Sequence, residues 1–284
     1  MIGIIFNPTS RNGESKGRMA NFLTMMDEAG LEYNYRETQA ARDATKFAIE
    51  MSETCSTIVS AGGDGTLFEI INGIWEKDVR LAILPFGSGN DLANGLYGKK
   101  YSEKEALEII RGDKSMKVDC GRVNDQYTMC LLCGFGIVTN VCVRYKERGG
   151  SYVSNIMPFF IHSLKKHYKV IVDGHERAFY SEFVNIMNDG IIGGGLHITP
   201  SSVVNDGKME LGILHESGSL KRIAAFGSLP FHKIEKRSVF ETIHFEECTI
   251  IPESPEICNI DGELIEFSEI HLKVLKEKLT FGVI

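Results

Sequence analysis

Short apolar runs alternate with segments of helical spacing along the first 118 residues. The predicted strands are Ile2–Phe6, Leu31–Tyr35, Thr57–Ser60 and Leu81–Leu84, the last of them ended by Pro85. The predicted helices are Met19–Met26 with Gly30 as its stop, Thr38–Met51 with Thr38 as its cap, Thr66–Trp75, and Ser102–Gly112 with a capping box between Ser102 and Glu105. This alternation predicts a parallel sheet that is covered by helices.

The pattern changes after Val118, where strand-like runs dominate. The predicted strands are Val123–Leu132, Lys169–Val172, Phe179–Met187, Met209–Leu214, Ser238–Ile243, Cys248–Ile251 and Ile270–Val274. One helix is predicted around Ser151–Lys166. We therefore predict an α/β domain over residues 1–118 and a β-rich domain over residues 119–284, and we leave open a return of the C-terminal tail to the first domain.

Composition narrows the class of protein. Of the 284 residues, 43% are hydrophobic and 24% are charged, which is an ordinary globular balance. The net charge of −7 argues against broad nucleic-acid binding, because that needs a basic surface. No apolar stretch approaches the roughly 18 residues of a membrane span, and Met1–Pro8 lacks the basic region of a signal peptide. Seven cysteines without zinc-site spacing predict buried free thiols in a cytoplasmic protein.

A glycine-rich loop follows the strand Thr57–Ser60. It reads Gly62-Gly63-Asp64-Gly65-Thr66, and a predicted helix begins directly after it. Glycines at such a junction let backbone N–H groups approach an anion, and the helix N-terminus adds partial positive charge. A turn that needs positive φ is the alternative interpretation. The number of glycines favours phosphate binding, although the loop lacks the lysine of a P-loop.

A second loop repeats this arrangement after the next strand. The segment from Pro85 to Ala93 reads Pro-Phe-Gly-Ser-Gly-Asn-Asp-Leu-Ala, and Asn90 or Asp91 could simply cap the following helix. The carboxyl ends of parallel strands lie at one edge of the sheet, where open α/β sheets bind ligands. Asn7 follows the first strand at the same edge. Three basic residues nearby are interpreted as solvated rather than as ligands: Arg11, Lys16 and Arg18.

The two loops together closely resemble the diacylglycerol kinase catalytic family, which includes bacterial lipid kinases, sphingosine kinases and ceramide kinases. Further similarity lies in Asn7-Pro8, Val118–Asn124, Gly193–Gly195, Asp206-Gly207 and Asp261-Gly262-Glu263. The resemblance implies an α/β nucleotide-binding domain of the NAD kinase and diacylglycerol kinase type, a β-sandwich domain, and an active site in the cleft between them. Asn205 departs from members with an acidic residue there, so an additional structural Mg²⁺ lacks that ligand.

The resemblance also implies ATP and Mg²⁺ as cofactors and assigns residues to them. Nucleotide contacts are expected at Asn7, Gly62, Gly63, Asp64, Gly65, Thr66, Gly87, Ser88, Gly89, Asn90 and Asp91. A metal network is expected at Asp64, Asp91, Asp119 and Asp206, because clustered carboxylates beside a triphosphate repel one another unless a cation neutralises them. Asp64, Asp206 and Glu263 are the expected catalytic residues, with Glu263 as the base. Asp-Gly occurs five times, however, and such pairs commonly form hairpin turns.

The implied acceptor is a lipid hydroxyl, reached by transient peripheral contact with a membrane surface. The helix predicted at Ser151–Lys166 either shelters acyl chains or belongs to the core. The basic stretches Lys221-Arg222 and Lys233–Arg237 are interpreted as a solvated face. Two alternatives remain at this point: a kinase of a soluble acceptor such as NAD, since NAD kinases share the first loop, and a non-catalytic nucleotide or lipid sensor. A homodimer is also left open.

Overall fold

The computed structural model describes residues 1–10, 14–98, 101–149, 155, 159, 165–193 and 195–284. The chain divides into two compact units. The first unit contains Met1–Val118 together with Glu277–Ile284, and the second contains Asp119–Lys276. Two strands, β5 (Ser115–Val123) and β17 (Ile270–Gly282), run from one unit into the other.

The first unit alternates strands and helices, as predicted. Its strands are β1 (Ile2–Phe6), β2 (Tyr33–Glu37), β3 (Thr57–Gly62) and β4 (Arg80–Pro85). Its helices are α1 (Ser15–Glu28), α2 (Asp43–Ser52), α3 (Asp64–Ile74), α4 (Asp91–Tyr97) and α5 (Glu103–Arg111). The strands lie in the order β2, β1, β3, β4 and the end of β17, and every neighbouring pair is parallel. The predicted parallel α/β fold is therefore confirmed.

One face of this sheet is covered by α1 and α5. Phe6 and Leu84 from the sheet belong to the same buried cluster as Phe22 of α1 and Ile109 of α5. The predicted capping box begins α5, where Ser102 accepts from the N–H of Glu105 and the Glu105 carboxylate accepts in return. Because these strands are parallel, the segments that follow β1, β3 and β4 emerge at a single edge of the sheet.

The second unit is β-rich. Its remaining strands are β6 (Tyr127–Met129), β7 (Leu132–Gly136), β8 (Lys166–Val172), β9 (His175–Met187), β10 (Ile191–Ile192), β11 (Leu196–His197), β12 (Met209–His215), β13 (Phe240–Phe245), β14 (Glu247–Pro252), β15 (Glu256–Ile260) and β16 (Glu263–Phe267). Its helices are α6 (Ile137–Arg148) and α7 (Ser219–Phe226). The strands of its main sheet lie in the order β16, β15, β7, β9, β8, β14 and the start of β17, while β12 and β13 continue from β9. All of these pairs are antiparallel.

The prediction of one strand over Val123–Leu132 was wrong. The segment turns back on itself, and β6 pairs antiparallel with β5 from Tyr127 opposite Val123. Asn124 and Asp125 lie in the left-handed region, with φ of 49° and 53°, which these two residue types tolerate in tight turns. The polar turn residues outweighed the apolar run that surrounds them.

The cap predicted at Thr38 was also wrong. The N–H of Thr38 donates to the carbonyl of Phe6 at 2.9 Å, so this residue extends the sheet. Helix α2 begins five residues later at Asp43, whose carboxylate accepts from the N–H groups of Gln39 and Ala40, each at 2.8 Å. The carboxylate of Asp43 therefore organises the turn before the helix.

The helix predicted at Ser151–Lys166 falls largely outside the described residues. Of its members, Phe159 packs against the main core cluster of the second unit, and Lys166 begins a strand. Sequence patterns missed α6, whose first half is rich in β-branched residues, as well as α7 and the β15–β16 hairpin. All seven cysteines are buried and free of disulfides, as predicted. Within the described residues, none of the helices is both long and apolar enough to cross a bilayer.

Candidate active site

The two glycine loops of the first unit touch each other directly. A Cβ placed on Gly87 would lie 2.3 Å from the Cα of Gly63, and one on Gly63 would lie 3.1 Å from the Cα of Gly87. A Cβ on Gly62 would lie 2.4 Å from the Thr66 hydroxyl oxygen. Side chains at these positions would separate the loops or displace the first turn of α3. Close approach therefore requires glycine here.

Positive φ does not explain these glycines. Gly62, Gly63, Gly65, Gly87 and Gly89 all lie outside the positive-φ region that Gly98 and Gly207 occupy. The interpretation of the first loop as a turn that needs positive φ was therefore wrong. At Gly63, φ is −101° and ψ is −171°, an extended conformation open to most residues.

Asn90 holds the second loop in shape. It has φ of 52° and precedes α4, yet its side chain makes no capping bond to that helix. Its Oδ1 instead accepts from the N–H of Gly87 at 2.8 Å, and its Nδ2 donates to the carbonyl of Gly87 at 2.8 Å. The amide thus closes the Gly87–Asn90 turn and does not cap α4, whose first N–H donates instead to the Asp64 carboxylate.

Asp64 and Asp91 lie together where the loops meet. The Oδ1 of Asp64 accepts from the backbone N–H of Asp91 at 3.1 Å. A Cβ on Gly89 would lie 2.8 Å from the Oδ2 of Asp64 and 3.5 Å from the Oδ2 of Asp91, so both carboxylates face that glycine. Asn7 belongs to the same edge, because its Nδ2 donates to the Thr66 hydroxyl at 3.2 Å. The first unit thus gathers the residues that the motifs singled out in it.

Asp119 begins the part of β5 that belongs to the second unit, and it organises the Asp206–Gly207 turn. The Asp119 side chain is fully buried, and its Oδ2 accepts from the N–H of Gly207 at 2.7 Å. Its own N–H donates to the carbonyl of Val204 at 2.8 Å. Asp206 itself is exposed, and its Oδ1 accepts from the N–H of Lys208 at 3.0 Å. Asp119 therefore positions the turn, and Asp206 presents a carboxylate at the surface of the unit.

Asp261 is the most constrained carboxylate of the second unit. It is buried, and it accepts from the N–H groups of Cys130, Leu131 and Leu132 at 2.7, 2.9 and 2.8 Å. Burial raises the pKa of Asp261 to about 6, against the three backbone N–H donors, which lower it. The sequence interpretation missed this role, because Asp261 resembled an ordinary turn residue.

A comparison with a second hairpin isolates what is special about Asp261. Asp261–Gly262 and Asp173–Gly174 both form two-residue hairpin loops with positive φ at both positions. Asp173 is exposed, whereas Asp261 is buried against the start of β7. The turn therefore explains the dipeptide but not the buried carboxylate, which ties the hairpin to residues 130–132.

Asn188 connects the two turns of the second unit. Its Nδ2 donates to the carbonyls of Asp119 and Cys130, each at 3.0 Å, and its N–H donates to the carbonyl of Leu131 at 3.0 Å. A continuous chain of hydrogen bonds thus runs from Gly207 through Asp119, Asn188 and residues 130–132 to Asp261. We call this chain the buried network. It couples the position of Asp206 to that of Glu263.

Glu263 is exposed at the first position of β16, directly after the hairpin. Burial raises the pKa of the neighbouring Cys142 thiol, and the negative charge of Glu263 raises this pKa further. The positive charge of Lys146 acts in the opposite direction and lowers it. The Cys142 thiol donates to the carbonyl of Gly262 at 3.7 Å. Glu263 therefore lies beside α6 with a cationic side chain nearby, and the buried network holds its backbone.

Other residues that the sequence analysis discussed, and did not assign as ligands, take structural roles or lie outside the described residues. Arg18 stacks 4.5 Å from the centre of the Phe86 ring and pairs with Glu103 at 2.6 Å. Arg11 and Gly194 lie outside the described residues. Gly193 and Gly195 have positive φ and connect the short strands β10 and β11. Among the described residues, no group of three or more His, Cys, Asp or Glu side chains is arranged as a complete metal site.

The chain matches two descriptions of protein domains. Residues 1–123 match the diacylglycerol kinase catalytic domain, and residues 143–280 match the YegS C-terminal NAD kinase beta sandwich-like domain. Two relatives from strains of Staphylococcus aureus, each named diacylglycerol kinase, are 29% identical over 276 residues, which is 92% of this chain and 85% of each relative. A crystal structure of a diacylglycerol kinase from Bacillus anthracis strain Sterne aligns with a TM-score of 0.84 at 21% identity, covering 100% of this chain and 96% of that one. The domain matches confirm the resemblance carried by the glycine loops, and the aligned structure supports the fold.

Gly87→Ala tests the contact between the glycine loops. The new methyl group would meet the backbone of Gly63, which cannot move like a flexible side chain, so we expect a loss of about 1–3 kcal/mol in the free energy of unfolding. Gly17→Ala is the matched control, because nothing lies within 4 Å of its Cβ and alanine favours a helix by about 0.5–1 kcal/mol. The single tryptophan, Trp75, lies in the first unit and reports urea unfolding there. Equal unfolding of Gly87→Ala and wild type would contradict the contact.

The raised pKa of Asp261 predicts a specific pH dependence of stability. A carboxyl with a folded pKa of about 6 and an unfolded pKa near 3.8 stabilises the fold below pH 3.8, and this contribution is lost as the pH rises through 6. Relative to Asp261→Asn, which cannot titrate, the wild type should lose up to about 3 kcal/mol of stability between pH 4 and 7. Denaturant unfolding of both proteins across this range measures the difference. A wild type that keeps or gains stability relative to Asp261→Asn as the pH rises from 4 to 7 would contradict the assignment.

Proposed function

Since the chain belongs to the diacylglycerol kinase catalytic-domain family, we propose that it is an ATP- and Mg²⁺-dependent lipid kinase that phosphorylates the hydroxyl of a diacylglycerol-like or sphingoid-like lipid. The observation that carries the proposal is the direct packing of the two glycine loops, with Asp64 and Asp91 beside Gly89. The stability of the fold alone does not require that the glycine loops before α3 and α4 touch each other, or that the carboxylates of Asp64 and Asp91 lie where these loops meet.

The first unit fits the phosphates of a nucleotide. Helices α3 and α4 both begin at this edge, and neither N-cap residue, Gly63 or Asn90, makes a side-chain hydrogen bond to its helix, although the first N–H of α4 donates to Asp64. The N–H groups in the first turn of a helix attract anions, and the glycines leave the backbone open to a close approach. Thr66 and Asn7, joined by a hydrogen bond, border the same edge. We assign phosphate binding to this surface and the nucleotide contacts to the residues of both loops.

The donor set fits Mg²⁺. Asp64 and Asp91 offer carboxylate oxygens beside Gly89 in the first unit. The family resemblance adds Asp206, an exposed carboxylate of the second unit. Mg²⁺ commonly uses one or two carboxylates together with water and phosphate oxygens, so a complete cage of protein ligands is not needed. The bound metal would offset negative charge on the phosphate oxygens during transfer. Asp119, whose Oδ2 is engaged by the N–H of Gly207, would act mainly by holding the Asp206 turn.

Glu263 is assigned as the base that accepts the proton of the acceptor hydroxyl. Its exposed carboxylate follows a turn that the buried network holds in place, which fixes its backbone without desolvating its oxygens. In a loose phosphoryl transfer the hydroxyl proton leaves late, so an ordinary carboxylate suffices. The acceptor meets the enzyme by transient peripheral contact with a membrane.

A transfer assay tests the proposed function. The full chain is incubated with labelled ATP, Mg²⁺ and mixed micelles that contain diacylglycerol, sphingosine or ceramide, and NAD serves as the soluble acceptor. We expect label in at least one lipid and none in NAD. Label in NAD alone would favour the soluble-acceptor alternative. ATP binding without any transfer would indicate a sensor.

Glu263→Gln should separate chemistry from nucleotide binding. Loss of a general base lowers turnover by about 10²- to 10⁴-fold, whereas the affinity for nucleotide should stay nearly unchanged. Glu266→Gln is the matched control, because it removes an exposed carboxylate from the same strand. Steady-state transfer rates and nucleotide titrations measure the two effects. Equal rates for Glu263→Gln and Glu266→Gln would exclude Glu263 as the base.

A further inference from the structure

Three large apolar side chains are exposed close together in the chain, on α7 and just after it. Leu220 is 84% exposed, Ile223 is 51% exposed and Phe231 is 69% exposed. Leu220 and Ile223 are three residues apart on α7 and share one face of the helix. Phe231 ends a short 3-10 helical turn, Leu229–Phe231, that follows α7. We call these three residues the apolar patch.

Basic residues surround the apolar patch in the chain. Segment 218–238 contains five basic residues and one acidic residue, although the whole chain carries a net charge of −7. Four of the basic residues are exposed and form no ion pair with any described residue: Lys221, Lys233, Lys236 and Arg237. The local positive charge is therefore uncompensated.

The fold imposes this exposure. The opposite side of α7 is anchored by the buried ion pair of Arg222 with Glu182, and by Ala225 and Phe226 in the core cluster of the second unit. After the helix, the N–H groups of Phe231 and Lys233 both donate to the carbonyl of Ser228, at 3.1 and 3.2 Å. The inner face is packed and hydrogen-bonded, so the apolar patch is a fixed outward feature rather than a frayed end.

The apolar patch adjoins a loop that the sequence linked to the family. The rings of His197 and His232 stack with their centres 3.8 Å apart. His197 ends β11, directly after the Gly193–Gly195 segment, and His232 follows Phe231. A surface that contacts a membrane here would lie beside the loop of the second unit that resembles the family signature.

Charge and apolarity together select the occupant. An amphipathic surface with exposed aliphatic and aromatic side chains and uncompensated lysines fits the boundary between headgroups and acyl chains of an anionic membrane. A second copy of the chain fits less well, because a two-fold interface places each patch on its own equivalent and brings the unpaired lysines together. Basic residues alone would suit other anions, but they would leave the three apolar side chains unexplained.

We propose that the apolar patch and its four basic residues dock this protein on membranes that contain anionic lipid. Leu220, Ile223 and Phe231 enter the interface while Lys221, Lys233, Lys236 and Arg237 contact phosphate or carboxylate headgroups. This docking rests on the proposed function, because a kinase that acts on lipids must reach a membrane. It differs from the sequence interpretation, which assigned these basic stretches to solvent.

Vesicle sedimentation tests the docking without nucleotide. The full chain is mixed with phosphatidylcholine vesicles that contain or lack phosphatidylserine. We expect binding to the anionic vesicles that weakens with added salt. Replacing all four basic residues with Gln should lower the partition coefficient by at least about a hundredfold, since each charge near the surface contributes about fivefold. Leu220→Ser, Ile223→Ser and Phe231→Ser combined should lower it by about tenfold or more.

Matched controls and a reporter keep the test specific. One control variant loses four paired charges by substitution with Gln at Lys77, Lys117, Lys169 and Arg177. A second loses three other exposed apolar groups by substitution with Ser at Ile49, Tyr180 and Ile257. Both control variants should bind vesicles like the wild type. Phe231→Trp in a Trp75→Phe background leaves one tryptophan in the apolar patch. Its emission should shift to shorter wavelength with anionic vesicles, and brominated lipid should quench it.

The docking would be overturned if the wild type did not bind anionic vesicles, or if the patch variants bound them equally well. It would also be overturned if a patch variant changed only the oligomeric mass of the free protein in sedimentation and left vesicle binding unchanged. The last result would assign the patch to a second copy of the chain. Transfer to a monomeric short-chain diacylglycerol separates this outcome from failure of the proposed function. That rate should be the same for wild type and patch variants. Vesicle binding without transfer to any acceptor would leave the docking intact and reject the kinase.

Discussion

The second unit depends on the way it satisfies one buried carboxylate. Asp261 is buried, and an unpaired charge there would cost several kcal/mol. Three consecutive N–H groups from residues 130–132 meet that need, and Asn188 fixes the same segment from its other side. Since the segment cannot shift without breaking several of these bonds at once, the hairpin before Glu263 and the turn at Asp206 have set positions. The position of both exposed carboxylates therefore follows from a buried one.

The first unit meets a different constraint, which is steric rather than electrostatic. Its two loops approach so closely that Gly63 and Gly87 have no room for a Cβ, and Asn90 supplies the hydrogen bonds that the tight turn lacks. The helices that follow are joined at their starts, because the Asp64 carboxylate of α3 accepts from the first N–H of α4. Glycine at these positions is thus required by the contact between the two loops.

Sequence patterns were sufficient for the parallel sheet, the capping box at Ser102 and the meeting of the two loops, because each depends on local spacing or on the direction of parallel strands. They failed where a distant partner decides the outcome. Asp261 and Asp173 look alike in sequence, and only the burial of residues 130–132 against the first distinguishes them. Helix α6 was missed because its β-branched residues suit a strand, while its buried positions Ile137, Val138, Val141 and Cys142 follow helical spacing. The predicted nucleotide contacts of the loop glycines stay a prediction. The steric contact that the structure shows could not be predicted, because a clash between loops 24 positions apart cannot be read from either loop alone.

A division of labour between buried and exposed groups follows from these constraints. Asp119 and Asp261 are buried, and both accept from backbone N–H groups. Asp206 and Glu263 are exposed. Asp206 precedes Gly207, whose N–H donates to Asp119, and Glu263 lies two residues after Asp261. An exposed carboxylate keeps its hydration, so it can bind a cation or accept a proton without the cost of desolvation. A buried one loses that freedom but gains precise geometry from several charge-assisted bonds. Buried carboxylates thus fix positions, and exposed ones stay accessible to solvent. The same separation recurs in α7, where the buried Arg222 fixes the helix that exposes Leu220, Lys221 and Ile223.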